Sequence, residues 1–282
     1  MTLLLALVAL AAYFALPDDW RSLCGRAADT WLSWCAQLPQ SLSPGLRLAL
    51  GLIIPMVLLA IILQALREVG LSLLVLVPSA IVLVVIFGDA SHPPALQRFI
   101  ANWQARQWPV PEVDEEQTDW VTPSLALDGD LDEARQVLLR ESLHELFAPL
   151  FWFLLASPVA ALGYYLLRMT AFEGENETRS LAQRWLLLAD WIPTRLLALS
   201  FALAGNFNAT WAVIKDRLLQ PDAEGHALID EAAAAAEPAE LSPDQLPLDA
   251  LGSALEGLQA LMQRALIVWM VMLALHTLWP GA

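Results

Sequence analysis

Six apolar runs, separated by polar stretches, organise the chain. Leu48 to Leu66 and Leu71 to Phe87 carry no charge and are joined by Arg67-Glu68-Val69-Gly70, the pattern of a helical hairpin. Phe147 to Leu167 is a third run, Trp185 to Ala204 a fourth, and Leu3 to Leu16 and Ala265 to Trp279 lie near the two ends. A hydrocarbon core about 30 Å thick is crossed by roughly 20 mostly apolar helical residues. The pattern therefore predicts an all-α, polytopic membrane protein with about six membrane helices and additional amphipathic cytoplasmic helices. Pro55, Pro78, Pro149 and Pro158 fall inside these runs; lipid-buried helices tolerate proline where neighbours satisfy the freed carbonyls. No Lys or Arg precedes Arg21, so the first run is expected to be a retained helix rather than a signal peptide.

The expected layout is an N-terminal membrane region, 1–88, with helices at about 2–16, 48–66 and 71–87. An acidic segment, 89–146, follows and ends in an amphipathic helix. A membrane core, 147–204, holds helices at about 147–167 and 185–204. An acidic linker with an amphipathic helix, 205–264, leads to a C-terminal membrane helix, 265–282. The amphipathic helix before the core is read from Leu131, Ala134, Leu138, Leu139, Ser142 and Leu146, which keep near-helical spacing. The stretch 219–250 combines an alanine run, Ala232 to Ala236, with three later prolines, and reads as low-complexity linker that is at most partly helical.

Composition agrees with lipid contact: 57% of the 282 residues are hydrophobic and only 16% charged. The formal charge of −15 is not spread evenly. Nine acids lie between Asn102 and Ala134, against Arg106 alone, and nine more between Leu218 and Gln263, with no base. Outside those eighteen, 12 acids face 15 bases, so the apolar part is slightly basic. No basic stripe exists to neutralise phosphates, which excludes nucleic acid as a partner. If 185–204 spans, ten Lys and Arg residues fall on one side and four on the other, placing the acidic segments in the cytoplasm and the termini outside. The acidic segments would then be available to a soluble or membrane protein partner.

Candidate chemistry is sparse. Arg140-Glu141-Ser142-Leu143-His144-Glu145 is the densest polar cluster, and Glu141 and His144 form one E-x-x-H. Carboxylate-bridged metal sites need two such motifs and further Glu residues, so a solvated helix face is the plainer alternative. Four histidines in all, with no tight His or Cys grouping, give no zinc pattern, and no metal or other cofactor is expected. Cys24 and Cys35 are eleven apart, neither a metal nor a redox spacing, and are expected to be packed thiols. Lys215 is the sole lysine and follows no glycine-rich loop, which excludes a P-loop. Asp190-Trp191-Ile192-Pro193-Thr194-Arg195 sets an acid and a base inside an apolar run. A charge at bilayer centre costs on the order of 2.5 to 3.5 kcal/mol on insertion scales. Asp190 and Arg195 would meet only across a break at Pro193, or each pair with another segment. An ion pair or interfacial helix end and a polar centre for a ligand both fit.

Three stretches carry a family resemblance: Phe147-Ala148-Pro149-Leu150-Phe151-Trp152, Ala160 to Tyr165, and Asp190-Trp191-Ile192-Pro193-Thr194-Arg195-Leu196. They resemble the CobD/CbiB superfamily and, within it, the AmpE family, most closely over residues 135–210. The superfamily's synthase branch uses ATP to join an aminopropanol unit to a cobyric acid side chain. Its E-N-x-x-D-G segment falls on Arg140, Glu141, His144 and Glu145, and its paired aspartates on Leu186 and Leu187, so the groups suited to Mg²⁺ and phosphate are replaced. The resemblance therefore implies the AmpE branch, without catalysis: an inner-membrane regulatory or sensory protein linked to β-lactamase induction and peptidoglycan recycling. The expected site gathers Asp190, Trp191, Arg195, Arg168, Glu141, His144 and Glu145 around an anionic cell-wall-derived ligand, with Arg168 and Arg195 as the cationic clamp. A transporter or accessory membrane subunit is the main alternative, and a residual cobamide synthase a further one.

Overall fold

The computed structural model describes residues 26, 30–39, 41–69, 75–88, 131–174, 176–220, 225–237 and 247–278. Among them the regular structure is helical throughout. The expected helix 2–16, most of the acidic segment 89–146 and Cys24 lie outside the described residues.

The chain divides into two compact units. The first contains a short helical segment, 30–36, then α1 (Pro44–Glu68), α2 (Leu76–Gly88), α4 (Ala148–Leu155), α5 (Pro158–Glu173) and the part of α6 (Asn176–Ala204) up to Pro193. Ser43 starts α1 by accepting the Leu46 N–H, with Pro44 in the first turn, where its missing donor is harmless. Leu59, Leu63 and Val75 pack with Leu66, Val82, Val159 and Leu162, fastening α1 and α2 to α5. Gly163 allows the close approach of α1, since a methyl there would lie 2.7 Å from Met56 Sδ.

The second unit contains α3 (Leu131–Ser142), α6 from Thr194, α7 (Phe207–Ile214), α8 (Gly225–Ala236) and most of α9 (Pro247–Leu278). Where the sequence suggests a linker, α8 is a packed helix whose Leu228, Ile229, Ala232, Ala233 and Ala236 are buried. Alanine is the best helix former, and its small side chain lets another helix come close. The Asn206 side chain caps α7 while its N–H donates to the Ala236 carbonyl at 2.9 Å. Trp269 Nε1 donates to Ser200 Oγ at 2.7 Å, tying α9 to α6.

Among the described residues two helices are long and apolar enough to cross a membrane: α1, at mean hydropathy 2.7, and Glu177–Ala204 of α6, at 1.5. Six spans are not seen among the described residues, and several expectations need correction. Phe147 to Leu167 is not one span: α4 stops at Leu155 and α5 starts at Pro158. Eight residues of α4 rise only about 12 Å. The break follows from Pro158, which disfavours helical backbone at the residue before it; Ser157 has φ 148°, a region of strain on the order of 1–3 kcal/mol for a non-glycine residue. Of the run expected at 71–87, residues 71–74 lie outside the described residues and the rest forms α2 from Leu76. The C-terminal run is the second half of the continuous 32-residue α9 rather than a separate helix. The segment with two internal charges, 185–204, is part of the long unbroken α6.

Candidate functional site

Local sequence sets the site before packing completes it. Pro149 offers no N–H to the Glu145 carbonyl, and its ring crowds that carbonyl. The chain widens there into a π-helical turn, Leu143–Phe147, between α3 and α4. Such turns recur at functional sites because they re-aim side chains. Leu143 and Phe147 are fully buried and anchor the turn, and His144 is buried with them.

His144 faces Tyr164 of α5 and Asp190 of α6. The Tyr164 hydroxyl donates to Asp190 Oδ1 at 2.7 Å and lies 3.0 Å from His144 Nδ1. His144 Nδ1 is also 3.5 Å from Asp190 Oδ2. A phenol has one proton to give, so with that proton on the Asp190 bond, the Nδ1 contact requires the proton to sit on His144 Nδ1. All three groups are at most 5% exposed, so water does not compete for these bonds. Phe172 closes one side, its ring edge-on to His144 at 5.7 Å between centroids. Beside this triad, Arg168 of α5 approaches Glu145 of the π turn at 3.8 Å, and its positive field reaches both Tyr164 and Asp190.

Of the residues singled out from the sequence, His144, Glu145, Arg168 and Asp190 thus belong to one polar centre in the first unit. Trp191 is half-buried beside Asp190. Glu141 lies in the last turn of α3 in the second unit, where the one-face argument for E-x-x-H is altered by the wide turn between it and His144. Arg195, also in the second unit, is a backbone clamp: Nε donates to the Leu218 carbonyl and an Nη to the Gln220 carbonyl, both at 2.7 Å. Asp190 and Arg195 therefore each engage another segment, and α6 continues through Pro193. Leu186, at one position where the synthase pattern has an aspartate, is buried, and Leu187, at the other, is exposed.

Tyr164 is the site residue that sequence reasoning missed. The available signal was a phenol inside an apolar helical run, since a buried hydroxyl requires a partner. Among the described residues no group of three or more His, Cys, Asp or Glu side chains is arranged to hold a metal ion. The triad couples three groups along which a proton can shift, and the Glu145–Arg168 pair supplies charge beside it. Comparison with known proteins finds no matching family profile, no matching characterised protein and no matching solved structure.

Proposed function

We propose that this chain is an AmpE-like regulatory or sensory protein of the bacterial cytoplasmic membrane, linked to β-lactamase induction and peptidoglycan recycling, and acting without catalysis. The observation that carries the reading is a buried polar centre, His144–Tyr164–Asp190, in a unit whose helices expose many large apolar side chains. Ile53, Ile54, Val57, Leu58, Ile61 and Ile62 of α1 and Trp185, Leu187 and Leu188 of α6 are exposed, a surface suited to lipid and costly in water. Ionisable groups inside such helices mark functional sites.

An anionic cell-wall-derived ligand would reach Arg168 by displacing Glu145. Arg195 already holds two carbonyls and serves the fold, so the clamp narrows to Arg168. The test is muropeptide binding to purified protein together with β-lactamase induction in cells that carry the variant as their sole copy. Arg168→Gln is expected to abolish both and Glu145→Gln to tighten binding; unchanged binding in both variants overturns the assignment. The acidic segments are proposed to be cytoplasmic and the termini periplasmic, which reporter fusions at residues 110 and 282 would check.

A second reading, a transporter, is favoured by the buried acid Asp190 within α6. Substrate-dependent proton uptake into proteoliposomes, lost in Asp190→Asn, would select it over the sensor.

A further inference from the structure

A cavity of about 260 Å³ in the first unit, with none of the triad in its lining, is bounded by Leu32, Cys35, Arg47, Leu48, Glu173 and Thr178 among others. It is built where several elements end. Arg47 is in the first turn of α1, Glu173 in the last turn of α5 and Thr178 in the first turn of α6. It therefore sits at one end of both helices long enough to cross a membrane, the level at which lipid headgroups lie.

The charges are graded with depth. Arg47 is 9% exposed, a cation held in the wall. One carboxylate near it, Glu177 at 3.7 Å, is 75% exposed, and Glu173 is exposed as well. A buried guanidinium below two outward carboxylates suits an anion that carries an ammonium group on its outer side. Leu32, Leu48 and Gly51 make part of the remaining wall apolar, while Ser33, Thr170 and Thr178 add hydroxyl groups to it. The volume, just under the range of about 300–1,000 Å³ usual for drug-sized ligands, accommodates a headgroup-sized molecule. From this geometry we infer a binding site for a phosphoethanolamine-type zwitterion, the phosphate on Arg47 and the primary ammonium at Glu173. The source is either the headgroup of a phosphatidylethanolamine or free phosphoethanolamine. The site does not depend on the sensory reading, and only its lipid source depends on the membrane reading.

Cys35 lines the cavity and is a free thiol, so its alkylation reports occupancy. The experiment uses the full chain with Cys24→Ser in dodecyl maltoside micelles and follows the rate of Cys35 alkylation by a maleimide. Dihexanoyl phosphatidylethanolamine is expected to slow labelling at least tenfold, and dihexanoyl phosphatidylcholine less than twofold, because a trimethylammonium has no N–H to give Glu173. Equal protection by phosphatidylcholine overturns the assignment, as does no protection by either. Free phosphoethanolamine protecting as well as the lipid assigns a soluble source; protection by the lipid alone assigns the headgroup. Arg47→Gln is expected to abolish protection. Glu173→Gln, which keeps the size of the side chain and removes its charge at an exposed position, is expected to erase the preference for ethanolamine over choline, and retained preference overturns the proposal. Protection by free phosphoethanolamine in a chain that fractionates with soluble protein would leave the site standing and sink the membrane reading.

Discussion

Tyr164 stands between His144 and Asp190, donating its proton to Asp190 Oδ1 at 2.7 Å and meeting His144 Nδ1 at 3.0 Å. A buried hydroxyl in this position satisfies two ionisable groups at once, and both lose a partner if it is removed. Tyr164→Phe is expected to lower stability by about 1–3 kcal/mol, read as a fall in the unfolding midpoint in detergent. Asp190→Asn keeps an acceptor for the hydroxyl and is expected to cost less. The double variant should cost clearly less than the sum of the two, since the residues share one bond. Strict additivity would mean that the triad is not a coupled unit.

Arg195 acts through geometry and not through charge alone. Its two donors reach the Leu218 and Gln220 carbonyls from one planar group, a match that a single ammonium does not reproduce. Arg195→Lys is therefore expected to behave like Arg195→Gln, with both speeding limited proteolysis within 215–220. Full rescue by lysine would show that charge alone suffices and return Arg195 to the candidate ligand clamp.

Burial pushes the Cys35 thiol up to about 11. Because the reactive species is the thiolate, and a raised value keeps the sulfur protonated at neutral pH, reactivity is low at pH 7. It is expected to rise about tenfold per pH unit up to pH 10, where a thiol of ordinary pKa near 8.5 levels off. Alkylation rates of the Cys24→Ser chain over pH 7–10 check this, and a plateau at pH 9 would contradict it.

Gly205 and Gly163 look alike in sequence but differ in what surrounds them. A methyl on Gly205 would come within 2.5 Å of the Ala236 carbonyl oxygen, which is backbone and fixed, whereas at Gly163 it would meet the flexible Met56 side chain. Gly205→Ala is expected to destabilise by about 1–3 kcal/mol and Gly163→Ala by clearly less. The order of the two unfolding midpoints decides the matter.

Much of this architecture was legible locally. Apolar runs marked the helices around 48–66 and 185–204, and the spacing from Leu131 to Leu146 marked the helix before the core. Proline positions also carried information, though its use emerged only in the folded chain: Pro158 breaks one apolar run in two, and Pro149 widens the turn that holds His144. The alanine run, set among acids and followed by three prolines, read as low-complexity linker at most partly helical, yet α8 buries Ala232, Ala233 and Ala236. Its role depends on what packs against it.

By itself, then, the sequence determined the helical class, the apolar character of α1 and α6, and the candidates His144, Glu145, Arg168 and Asp190, because periodicity and side-chain chemistry are properties of neighbouring residues. Tertiary structure alone decided that His144 and Asp190 share the hydroxyl of Tyr164, across separations of 20 and 26 residues, and that Arg195 holds the chain after α7. Those pairings depend on which helix faces meet. That is settled by close packing of side chains from distant parts of the chain.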